Sequence, residues 1–72
     1  MREHPIFEAR NKLGLKQTEL AQIMDVSKQA VSSWERGKQI PSRIHLKKLA
    51  ELFEITVDYL LEQIANGHPR GA

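Results

Sequence analysis

Between Ser27 and Gly37 the chain places Lys28, Gln29, Ser32, Ser33 and Arg36, five polar residues that can all donate hydrogen bonds, while its one acid there, Glu35, falls at the border of the apolar side. At about 100° per residue the five share one face of a helix, opposite Ala30, Val31 and Trp34. A merely solvated face usually mixes in Asp or Glu. A donor-rich face without acids suits phosphate oxygens and the base edges of a major groove. Gln29 has the amide that pairs bidentately with adenine, and Lys28 can donate to guanine or to a phosphate. Ser32 and Ser33 are short enough to let the helix sink into a groove. They would read a base weakly, through the hydroxyl, through water or by contact with a thymine methyl.

No other grouping offers competing chemistry. His4, His45 and His68 lack metal-ligand spacing, and no phosphate loop or nucleophile-base constellation occurs. Without cysteine there are neither disulfides nor thiolate ligands. An enzyme is therefore not expected, and no cofactor or metal is implied.

The elements that must hold the polar face can be read on either side of it. Leu20, Ala21 and Met24 recur at helical spacing, Asp25-Val26-Ser27 breaks the pattern, and Ala30, Val31 and Trp34 resume it. This predicts two short helices crossing steeply, with Ala21 small enough for a close approach and Val26 plugging the gap beneath the turn. The arrangement is a helix-turn-helix. Ser27 is placed to cap its second helix and Gly37 to close it.

Upstream, Pro5 can open a first helix over about residues 5 to 13, with Ile6, Ala9 or Arg10, and Leu13 on one stripe and Gly14 as the stop. Phe7 packs or faces outward. Downstream, Lys38-Gln39-Ile40-Pro41 reads as a basic loop and Ser42 as the cap of a fourth helix to about residue 54, marked by Ile44, Leu46 or Lys47, Leu49, Ala50 and Phe53. Thr56 caps a fifth, with Val57, Leu60, Leu61 and Ile64 apolar and Asn66-Gly67 ending it. The expected fold is all-α, a compact five-helix domain over residues 5–66, between a short tail at 1–4 and a disordered tail at 67–72.

Several separated runs, in order and spacing, carry a resemblance to a known family. Leu-Gly-Leu-Lys-Gln-Thr-Glu-Leu-Ala-Gln at 13–22, Val-Ser-Lys-Gln-Ala-Val-Ser-Ser-Trp-Glu-Arg-Gly-Lys at 26–38, Pro-Ser at 41–42 and Leu-Ala-Glu-Leu-Phe-Glu-Ile-Thr-Val-Asp-Tyr-Leu-Leu at 49–61 resemble the phage repressor and Cro-like helix-turn-helix family. The resemblance spans roughly residues 6 to 65 and implies a lambda-repressor-like fold. It also implies that Gln17, at the start of helix 2, holds a DNA phosphate through its side chain and backbone amide, where a helix end favours an anion.

The same resemblance implies that Ser33 occupies a base-reading position, and that Arg10 and Glu35 form a partly buried ion pair joining helices 1 and 3. Such a pair is a structural fastener, not a catalytic dyad. Ser27, Arg36, Lys38, Gln39 and Arg43 are the remaining candidates for phosphate contact, which needs charge and reach more than a fixed edge geometry. Lys12 and Lys16 could reach neighbouring phosphates. Two departures stand out. Lys16 sits where the family has a capping acceptor, so Thr18 or solvent must serve, and Asp25 sits where the family commonly has Gly.

Net charge is only +2, but residues 1 to 48 have ten Lys or Arg against five acids, and residues 49 to 72 have one against four. A basic front and acidic back would orient the molecule toward a polyanion. No apolar run approaches the ~18 residues of a membrane span and no signal peptide is evident, so a cytoplasmic setting is expected. The expected function is sequence-specific binding of a double-stranded DNA operator as a homodimer, in a transcriptional regulator of the repressor type. Neither a membrane partner nor a small-molecule effector is expected. Ile40 and apolar positions near helix 5, Tyr59 or Leu61, are candidates for pairing the subunits. The competing reading is a protein-interaction module, such as an antitoxin that also binds its own promoter.

Overall fold

The caps set the element boundaries. In the computed structural model, which describes residues 4–67 and the side chains of 4–65, five helices follow in order. They are α1 (Pro5–Lys12), α2 (Gln17–Met24), α3 (Lys28–Glu35), α4 (Arg43–Phe53) and α5 (Val57–Gly67). Ser27 Oγ accepts the Ala30 amide at 3.1 Å, Ser42 Oγ the His45 amide at 3.4 Å and Thr56 Oγ1 the Tyr59 amide at 3.0 Å. Each hydroxyl thereby satisfies an amide that the first helical turn leaves open. Gly14 and Gly37, at φ +73° and +74°, follow α1 and α3, where an L side chain would be strained.

Three boundaries differ from the sequence expectation. His4 is not part of a tail: it is 5% exposed and caps α1, its Nδ1 accepting the Ile6 amide at 3.1 Å. Pro5 at N1 has no amide to satisfy, so the cap bond goes to the next residue. At α2 neither Thr18 nor Lys16 supplies a side-chain cap; instead Glu19 reaches back from the third helical position to accept the Lys16 amide at 2.7 Å. Gly67 belongs to α5, while the remaining expected tail positions, 1–3 and 68–72, lie outside the described residues.

Left-handed residues end α2 and α4. Asp25, at φ 59°, turns the chain so that Val26 N–H reaches back to the Ala21 carbonyl at 2.9 Å. Glu54, at φ 61°, does the same for Ile55 and Ala50, again at 2.9 Å. Asp tolerates this region better than Glu, whose side chain has no short local hydrogen bond to offer.

Ile6, Leu20, Ala21, Met24, Val31, Trp34, Leu46, Leu49, Leu60 and Ile64 form one core, to which all five helices contribute. Leu15, Val26, Phe53, Ile55 and Val57 pack around it. Helix α2 lies against α3, α1 against α3 and α5, and α4 against α5 and α2. Trp34 is buried in this core, its ring 5.6 Å from that of His45 on α4. Two stripe positions read as apolar face outward. Ile44 is 71% exposed, because the buried face of α4 runs through Leu46, Leu49 and Ala50 and Ile44 lies about 200° from Leu46. Leu13, at the end of α1, is also exposed, and Arg10 takes the inner position beside Ile6.

Candidate nucleic-acid interface

The first turn of α3 is where the donor-rich face stands clearest of the core. Lys28 and Gln29 are exposed there, and Ser32 and Ser33, one turn on, are half-buried. Burial of Val31 and Trp34 on the other side of the same helix fixes which way it turns. Leu20, Ala21 and Met24 do the same for α2, so the start of α2 and the first turn of α3 stand side by side.

Two clefts mark the junction. One, of about 290 Å³, is lined by Gln17, Lys28, Gln29 and Ser32. The other, of about 350 Å³, is lined by Arg10, Lys16, Gln17, Thr18 and Lys28. Gln17 and Lys28 belong to both. The structure therefore brings together Gln17, Lys28, Gln29 and Ser32 among the predicted site residues, with Lys16 and Thr18 alongside. The sequence suggests Thr18 only as a helix cap. Its place in the first turn of α2, beside Gln17, is the signal that could have marked it as a lining residue.

Ser27 is at the edge of this group and its Oγ is already an acceptor for Ala30, which leaves its hydroxyl proton as the group it can still donate. Arg36, Lys38, Gln39 and Arg43 do not line the two clefts. They stand exposed past the end of α3 and at the start of α4. Their loop is not loose, because the Ser33 carbonyl accepts the Lys38 amide at 2.9 Å and the Gln39 amide at 3.4 Å. Ser33 thus helps to shape the loop through its backbone.

Beneath the clefts, Arg10 and Glu35 form the expected ion pair, with side chains 9% and 5% exposed. Arg10 Nε meets Glu35 Oε2 at 2.5 Å and Nη2 meets Oε1 at 3.2 Å, a two-point contact between guanidinium and carboxylate. Arg10 Nη1 also donates to the Leu15 carbonyl at 2.8 Å, and the guanidinium carbon lies 5.2 Å from the Phe7 ring centroid. The pair joins α1 to the last residue of α3 and ties down the strand-free segment leading to α2. Gln17 departs from the simplest reading of a phosphate donor: its Nε2 donates inward, to Glu35 Oε1 at 2.9 Å. Its backbone amide is in the first turn of α2, where no side chain caps the helix.

This arrangement has donors on a protruding helix and positive charge around it. Among the described residues no three His, Cys, Asp or Glu are grouped to hold a metal ion. No helix among those residues is long and apolar enough to cross a membrane.

Comparison with known proteins places the same motif in regulators. A helix-turn-helix family model matches residues 6–60. The chain is 39% identical over 54 residues to the HTH-type transcriptional activator BcrR of Enterococcus faecalis, covering 75% of this chain and 26% of that protein. It is 37% identical over 54 residues to the HTH-type transcriptional regulator ImmR of Bacillus subtilis, covering 75% and 42%. With the repressor protein C2 of Salmonella phage P22 the identity is 36% over 53 residues, covering 74% and 24%. The chain thus spans less than half the length of each of these relatives. The solution structure of the DNA-binding domain of the P22 C2 repressor superposes with a TM-score of 0.71 at 33% identity, covering 82% of this chain and 79% of that domain. In its motif, its five-helix fold and its sequence, the chain belongs to the helix-turn-helix family of DNA-binding transcription regulators.

Proposed function

We propose that this chain is a sequence-specific double-stranded DNA-binding regulator that inserts α3 into the major groove of an operator and represses by covering a promoter. The observation that carries this reading is the first turn of α3: Lys28 and Gln29 exposed side by side, along a cleft shared with Gln17 and Ser32. Lys28 and Gln29 reach base edges, with Ser32 and Ser33 following the groove at shorter range. The Gln17 amide, Ser27, Arg36, Lys38, Gln39 and Arg43 hold the phosphates on either side. The kinship with a phage repressor's DNA-binding domain supports the same assignment.

The protein acts as a homodimer. One short helix gives too few base contacts for high selectivity, whereas two half-sites about 34 Å apart on one face of the duplex multiply it. Ile40 and Ile44 are 65% and 71% exposed and close in sequence, at the loop and first turn of α4, which makes them the apolar pair best placed for subunit contact. Tyr59 or Leu61, each exposed on α5, is the alternative contact. Control then rests on protein concentration and dimerisation, without a small-molecule effector, and the setting is cytoplasmic because the DNA is there. The outer face of α3 has no exposed Leu, Phe or Trp to anchor a protein partner, which favours DNA over an interaction module on that face.

Hydroxyl-radical footprinting on a bound duplex tests the arrangement. Two protected patches, one helical turn apart on one face, are the expected result. A single short patch, or protection that follows no sequence, would contradict it.

A further inference from the structure

Glu35 has a partner beyond its ion pair. Its Oε1 accepts from Gln17 Nε2 at 2.9 Å as well as from Arg10 Nη2 at 3.2 Å, while Oε2 takes Arg10 Nε at 2.5 Å. A carboxylate beside a guanidinium only accepts hydrogen bonds, so the Gln17 amide must turn its nitrogen and not its oxygen toward it. The flipped amide would set carbonyl against carboxylate in a nearly dry site. An amide nitrogen carries two hydrogens. One is committed to Glu35, and among the described residues no second acceptor takes the other. Gln17 meanwhile lines both clefts at the start of α2.

We propose that Glu35 is a positioning residue for DNA binding, acting through Gln17. It fixes which end of the Gln17 amide is available, so that the second N–H donates to a backbone phosphate while the first stays on the carboxylate. Arg10 extends the chain of dependence by one step, since its two-point contact holds the carboxylate in the required orientation. The ion pair thereby sets a phosphate contact made by Gln17 and, with it, the spacing between the start of α2 and the reading turn of α3. The inference rests on the proposed DNA-binding function and assigns a further role within it.

The test is a double-mutant cycle read by DNA affinity, using the full chain, a duplex of about 20 base pairs obtained by selection and a scrambled duplex of equal length. Gln17→Met removes the donor without changing the bulk of the side chain, and Glu35→Gln keeps an acceptor but frees the amide to flip. Circular dichroism confirms that each variant is folded. Each single change is expected to weaken binding about tenfold, and the double change no more than either single one. Losses that multiply, or a Gln17→Met chain that binds as tightly as wild type, would overturn the proposal.

A second measurement needs no variant. In the wild-type chain the two Gln17 side-chain amide protons should respond differently to added duplex, the free one moving strongly and the one on Glu35 little. Equal movement, or none, would count against the proposal. If wild type selects and binds DNA and these tests fail, this inference alone falls. If wild type binds no duplex, the DNA-binding reading falls with it.

Discussion

Replacing Arg10 with Met should remove a large fraction of the domain's stability. The substitution deletes both contacts to Glu35 and the bond to the Leu15 carbonyl, and it leaves a carboxylate whose side chain is 5% exposed with Gln17 as its one remaining polar partner among the described residues. Stranding one member of a buried pair costs about 3–5 kcal/mol. A chain of 72 residues has a total of roughly 4–11 kcal/mol at ~0.05–0.15 kcal/mol per residue. With a urea slope near ~1 kcal/mol per molar, the midpoint should fall by about 3 M or more. Trp34 is buried against the core, so its fluorescence reports unfolding directly. Arg10→Met combined with Glu35→Leu removes both charges and should regain most of the loss, because desolvating the pair costs much of what its attraction supplies. A single-variant loss below ~1 kcal/mol, the value of an exposed pair, would refute the claim that this contact fastens α1 to α3.

Other changes separate reading from holding. Gln29→Ala should cost about 1–3 kcal/mol on the best site and flatten base preference, whereas Arg43→Ala should weaken binding to every sequence and lower the salt slope by about one, both measured by anisotropy titration. Equal effects of the two on selected and random DNA would undo the assigned roles. Glu54→Gly relieves a left-handed Glu and should raise stability by ~0.5–1 kcal/mol in urea unfolding, the gain reduced by the greater freedom of Gly in the unfolded chain. Ile44→Asp puts a charge on the exposed apolar pair and should shift sedimentation toward monomer while leaving the circular dichroism unchanged.

The helices were legible because each depends on local chemistry. Ser27, Ser42 and Thr56 cap where a hydroxyl precedes a periodic run, and Gly14 and Gly37 stop helices by a conformation that other residues avoid. The Arg10–Glu35 pair came from family resemblance, since nothing in either residue's neighbours specifies a partner 25 positions away. What stayed hidden were contacts that only tertiary structure creates. His4 is buried where it caps α1, Ile44 is exposed because α4 turns its other side inward, and Gln17 donates to Glu35 because α2 and α3 converge there. Of the site, the types of residue could be read from the helical face. Their grouping into two clefts, and the absence of Arg36, Lys38, Gln39 and Arg43 from those clefts, required the packing of α2 on α3.

Selection from a random duplex library, with the recovered sequence then titrated against salt and against scrambled DNA, tests the central claim most directly. The account predicts an inverted repeat with half-sites near one helical turn, bound ~10³-fold or more above random sequence. Recovery of no motif, with only weak and salt-sensitive binding, would contradict it.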